Sequence, residues 1–118
     1  MPRRSILTLL SAWAVLPAFA AQEHDFFEKR IRPLLAERCY ECHSAGKKIK
    51  GGLRLDTREG WATGGDSGPA IQPGKPADSL LLKAISYTDR DLKMPPKQKL
   101  REEDRAALRE WIAQGASD

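Results

Sequence analysis

Cys39-Tyr40-Glu41-Cys42-His43 is the segment whose residue types and spacing carry chemistry. A Cys-x-x-Cys-His string is the signature of c-type haem attachment. Two thiols three positions apart at the end of a helix can add to two vinyl groups on one haem edge. The imidazole that follows then lies beneath the ring centre, within reach of the iron. Tyr40 and Glu41 act only as spacers. Three other chemistries use parts of this pattern. A thioredoxin-like dithiol needs a strand–helix context within a parallel sheet. A zinc site needs about four protein ligands, and His24 or a carboxylate would have to be the fourth. A disulfide between Cys39 and Cys42 would close a very small loop and leave His43 without a role.

Haem iron also needs a partner on its other face, and Met94 is the only methionine besides Met1. Pro95 and Pro96 restrict the backbone around it, so a loop-borne thioether there is held in place. The expectation is a distal ligand; the alternative is a methionine that fills the core. His24 is the only other histidine. It could replace Met94 as a ligand, but near a loose amino terminus it is expected to be solvated. One backbone carbonyl, at Pro69 or Pro73, is expected to accept the remaining N–H of His43.

Helices are expected to position these groups. Phe27, Ile31, Leu34 and Leu35 recur at helical spacing within 25–38, with Asp25 as cap and a kink or two abutting turns at Pro33. This helix runs directly into Cys39. From Ser44 to Pro76 the Gly- and Pro-rich sequence predicts turns, with Leu53 to Leu55 extended and one helical turn over 57–62 presenting Trp61 to the core. A second helix is predicted over 76–87, with Pro76, Asp78 and Ser79 at its start and Leu81, Leu82 and Ile85 as its stripe. A polar loop, 86–99, carries Met94. A third helix is predicted over 102–114. It has Glu102, Glu103 and Asp104 in its first turn, Leu108, Trp111 and Ile112 on its buried face, and Gly115 as its stop.

The first twenty residues are read as a signal peptide rather than part of the fold. Arg3 and Arg4 precede an apolar run from Ile6 to Leu16, and Ala18-Phe19-Ala20 supplies the small-x-small pattern for cleavage between Ala20 and Ala21. The apolar run is shorter than the roughly 20 residues of a membrane span, so no stable membrane insertion is expected after cleavage. A single domain, 21–118, then follows, exported to the periplasm or its equivalent. Loss of Arg3 and Arg4 lowers the formal charge of +4 by two, and the remaining lysines are scattered, which argues against nucleic acid as partner. Lys47, Lys48 and Lys50 are a candidate docking patch for an acidic redox protein, the other reading being a solvated loop.

Taken together, the haem string, Ile31-Arg32-Pro33-Leu34-Leu35, Gly51-Gly52-Leu53-Arg54-Leu55-Asp56, Pro73-Gly74-Lys75-Pro76 with Ser79-Leu80-Leu81, Met94-Pro95-Pro96, and Trp111-Ile112 with Gly115-Ala116 resemble the planctomycete-type cytochrome c domain family. The resemblance implies an all-α, class I-like fold of three or four helices around one covalent haem c, with long Gly/Pro-rich loops. It implies that the first and last helices pack together over the haem edge. Cys39 and Cys42 take the thioether positions, His43 the proximal and Met94 the distal position on iron. Arg101 stands where the family tends to carry Ser or Thr, a lost cap worth about 1 kcal/mol. With both axial positions filled, the expected function is one-electron transfer between a donor and an acceptor redox protein, without enzymatic turnover. The competing functions are a haem sensor or peroxidase-like enzyme with a displaceable Met94, and a non-redox interaction module. A free-standing carrier, a subunit of a complex and a fragment of a longer protein are all compatible with this sequence.

Overall fold

The computed structural model describes residues 16–118, together with Pro2, Arg3 and Thr8. Most of the expected signal segment therefore lies outside the described residues. The first described helix, α1 (Leu16–Phe26), passes through Ala20 and Ala21. A π-helical turn (Phe27–Ile31) and α2 (Arg32–Arg38) continue it without a break. Asp25 is thus inside a helix and caps nothing, because the alanine-rich stretch before it is itself a strong helix former. The expected irregularity at Pro33 takes the form of this wide turn. Arg32 N–H reaches back five residues to the Phe27 carbonyl, which resets the bonding register just before the residue that has no N–H to give.

The remaining helices are α3 (Arg58–Thr63), α4 (Leu80–Ser86) and α5 (Glu102–Ala113). Counting the continuous rod from Leu16 to Arg38 once, the described residues form four α-helical units. Among the described residues there are no strands, only three isolated bridges. No helix among them is long and apolar enough to cross a membrane. Short 3-10 turns occupy Lys50–Gly52 and Pro76–Asp78. The predicted second helix therefore starts later than expected. Ser79 is extended, and its buried hydroxyl bonds the Lys75 carbonyl at 2.9 Å while accepting from Gln72 N at 3.0 Å. That local bonding competes with a helical start at Pro76.

The core joins the rod to α5. Phe27 stacks on Trp111 with centroids 5.5 Å apart, and Trp61 meets Trp111 edge-on at 5.9 Å. Trp111 is 1% exposed, and its indole N–H donates to the Ser117 carbonyl at 2.8 Å, so its one polar atom is satisfied on burial. At the other end of α5, Arg30 donates to Asp104 at 2.8 Å and to the Glu103 carbonyl at 3.2 Å. Arg101 gives no side-chain cap; its guanidinium turns instead to Asp104 at 3.3 Å. Burial of the Asp104 carboxyl opposes its charge, yet the bonds from Arg30 and Arg101 outweigh this and hold its pKa below the usual carboxylate value. The amino-terminal rod and the last helix thus pack together, compatible with the expected all-α, cytochrome-like fold.

Candidate haem-binding site

The rod delivers Cys39 to the edge of the core, and its bonding pattern carries on into the motif. Cys39 N bonds the Leu35 carbonyl at 2.8 Å, and Cys42 N and His43 N both return to the Cys39 carbonyl, at 3.2 and 3.0 Å. This helix-like turn keeps Cys39 and Cys42 on one side of the chain. Neither is in a disulfide. Burial pushes the Cys39 thiol up to about 11, with nearby Arg38 offsetting part of the effect. The neutral thiol is therefore the favoured form.

His43 is fixed from the opposite side by the extended segment after it. Leu55 N donates to the His43 carbonyl at 2.8 Å, and His43 Nδ1 lies 3.2 Å from the Leu53 carbonyl oxygen. The acceptor expected at Pro69 or Pro73 is therefore Leu53. The alternation Leu53-Arg54-Leu55 was the available signal, since an extended strand-like piece leaves carbonyls free to face a neighbour. Nδ1 is thus occupied, and Nε2 is the nitrogen left for a ligand.

These residues line an open cavity of about 330 Å³, within the usual size range of small-molecule sites. Cys39, Cys42, His43 and Met94, all singled out from sequence, are on its wall together. Leu53, Leu55, Ala70, Leu80, Leu81 and Ala84 supply apolar surface, and Pro95 and Pro96 flank Met94. Charge comes from Arg38, Lys50 and Asp66. Met94 is 36% exposed, which sets aside a core-filling role. His24 is exposed on α1 and does not line the cavity, and neither Pro69 nor Pro73 does. Lys47 and Lys48 are exposed, and Lys50 is both exposed and part of the wall. Among the described residues, no three His, Cys, Asp or Glu side chains gather as a metal-binding group.

The rest of the wall comes from loops stitched by main-chain bonds. Ala70 N reaches the Trp61 carbonyl at 3.0 Å, Leu81 N the Ala70 carbonyl at 2.8 Å, and Met94 N the Ala84 carbonyl at 3.0 Å. At Gly64 and Gly65 backbones approach too closely for any side chain. A Cβ at Gly64, where φ is +79°, would lie 1.9 Å from the Gly68 carbonyl oxygen, and one at Gly65 would lie 2.2 Å from that of Gly51. Tyr87, not singled out from sequence, ends α4 in the left-handed conformation and donates its hydroxyl to the Pro95 carbonyl.

The donor set fits a covalently held haem: two unpaired thiols, an imidazole with one nitrogen already engaged, a thioether, and mostly apolar walls. The family model described as Planctomycete cytochrome C matches residues 39–98, about half of the chain. That segment contains all four candidate residues, while α1, α2 and α5 lie outside it. No curated protein and no solved structure matches the chain.

Proposed function

Because the chain belongs to the planctomycete cytochrome C family, we propose that it is an exported c-type cytochrome that carries single electrons between redox proteins. The single observation that carries this reading is the convergence of Cys39, Cys42, His43 and Met94 on one apolar cavity. Cys39 and Cys42 would hold the haem by thioether bonds, each thiol adding its sulfur and its hydrogen across one vinyl group, so that no oxidant would be consumed. His43 would hold the iron through Nε2, its ring oriented by the Leu53 carbonyl, and Met94 would hold it through its thioether. Bound haem would supply one-electron chemistry, and a His/Met donor pair would favour the reduced form over a bis-His pair.

The protein's own contribution is to orient and to exclude water. Leu53, Leu55, Leu81 and Ala84 line the cavity and would give a bound ring an apolar bed, which would raise the cost of the extra charge on oxidised iron. Lys50, on the cavity wall, and the exposed Lys47 and Lys48 close to it in sequence suit an acidic redox partner. Their effect appears as an association rate that falls as ionic strength rises. The exposure of Met94 favours one second reading, a sensor or peroxidase-like protein in which this ligand leaves. Carbon monoxide separates the two. The reduced protein is expected to bind it slowly or not at all at neutral pH, and rapid stoichiometric binding would establish the second reading instead.

A further inference from the structure

We infer that Tyr87 is a positioning residue for Met94, clamping the loop that carries it. This inference rests on the reading of Met94 as the distal ligand. The three other candidate groups are fixed by their own bonds or by the helix they end, as described for Cys39, Cys42 and His43. Met94 is different. It lies on a polar loop and is 36% exposed, so packing holds it weakly, and its main-chain N–H bond to Ala84 at 3.0 Å anchors only one side.

Tyr87 supplies the other side. It ends α4 with φ of +62°, a conformation that is uncommon and unfavourable for a bulky side chain and that glycine or asparagine adopts more readily. What an aromatic residue gains there is reach across the loop. Its hydroxyl donates to the Pro95 carbonyl, on the peptide that directly follows Met94. The ammonium groups of Lys93 and Lys99 lie 5.7 and 5.9 Å from its ring centroid, inside the range for attraction to an aromatic face. One side chain thus touches the residue before Met94, the residue after it, and the loop's far limb. Loss of the hydroxyl bond leaves the backbone of α4 unchanged and frees the segment around Met94.

The test compares holoprotein and its Tyr87→Phe variant, which keeps the ring, the backbone conformation and both lysine contacts. Ferric protein is titrated with imidazole while the sulfur-to-iron absorption band is followed, and exchange of the Met94 amide hydrogen is measured alongside. Imidazole is expected to displace the thioether roughly fivefold more readily, the equivalent of one neutral hydrogen bond, and the Met94 amide is expected to exchange faster. Tyr87→Asn suits the left-handed backbone, removes ring and hydroxyl together, and is expected to move both readouts further in the same direction. Unchanged imidazole affinity in both variants, with a normal band in the parent, overturns the clamp alone. A parent protein without the band overturns Met94 as ligand, and the clamp with it.

Discussion

The clasp between the amino-terminal rod and α5 is a packed interior, with Phe27, Ile31, Leu108, Trp111 and Ile112 all buried. The cavity wall between Ser44 and Leu100 is held mostly by its backbone, through links such as Leu81 N to Ala70 O and Met94 N to Ala84 O. One region supplies stability from apolar burial, roughly in proportion to area. The other supplies shape: Leu53, Leu55, Ala70, Leu81 and Ala84 line a cavity of about 330 Å³, while Leu55, Ala70 and Leu81 also join the buried cluster of the clasp. On the proposed reading, stability lies mainly in the clasp and haem retention in the wall.

Substitutions in the two regions should therefore fail differently. The largest expected loss of stability comes from Trp111→Ala, about 4 kcal/mol, because the indole contacts both Phe27 and Trp61. Urea unfolding of the holoprotein should show it as a lower midpoint without a change in the haem spectrum of the folded fraction. Gly64→Ala comes next, at about 3 kcal/mol from an unsuitable backbone conformation and collision with Gly68. Here the distinguishing result is poorer haem incorporation with helix content retained. Equal losses of helix and haem would merge the two regions into one cooperative unit.

The smallest effect tests the electrostatic seam of the clasp. Asp104→Asn is expected to cost about 1 kcal/mol near neutral pH, the Arg30 and Arg101 partners being partly or largely exposed. Since the folded-state pKa of Asp104 is depressed, its stabilisation is complete above the ordinary Asp value of about 3.9 and is lost as pH falls through the lower folded value. The gap between parent and variant in unfolding free energy should shrink on acidification below about 3.9. A gap that widens instead would contradict the assignment.

The same contrast explains what could be read from the sequence. The clasp was legible because Phe27, Ile31, Leu34 and Leu35, and then Leu108, Trp111 and Ile112, repeat at the helical period. Its start was not: Asp25 looked like a cap, but helix-forming residues upstream carry the helix to Leu16. The four candidate residues were legible from residue type and order alone. The wall was not, since main-chain bonds leave no mark on side-chain identity. The Leu53 carbonyl beside His43 and the left-handed turn at Tyr87 belong to that category. Ser79 was legible as a helix start and does stand immediately before α4, but the 3-10 turn over Pro76–Asp78 ahead of it was not.

The most direct measurement is the intact mass of the mature protein, produced with haem-maturation machinery and unfolded in denaturant, together with its pyridine haemochrome spectrum. One haem added by mass and a spectrum of two thioether links are expected, with Cys39→Ala and Cys42→Ala each reducing the links to one. A mass equal to that of the bare polypeptide, with the maturation machinery shown to be working, would contradict the proposal.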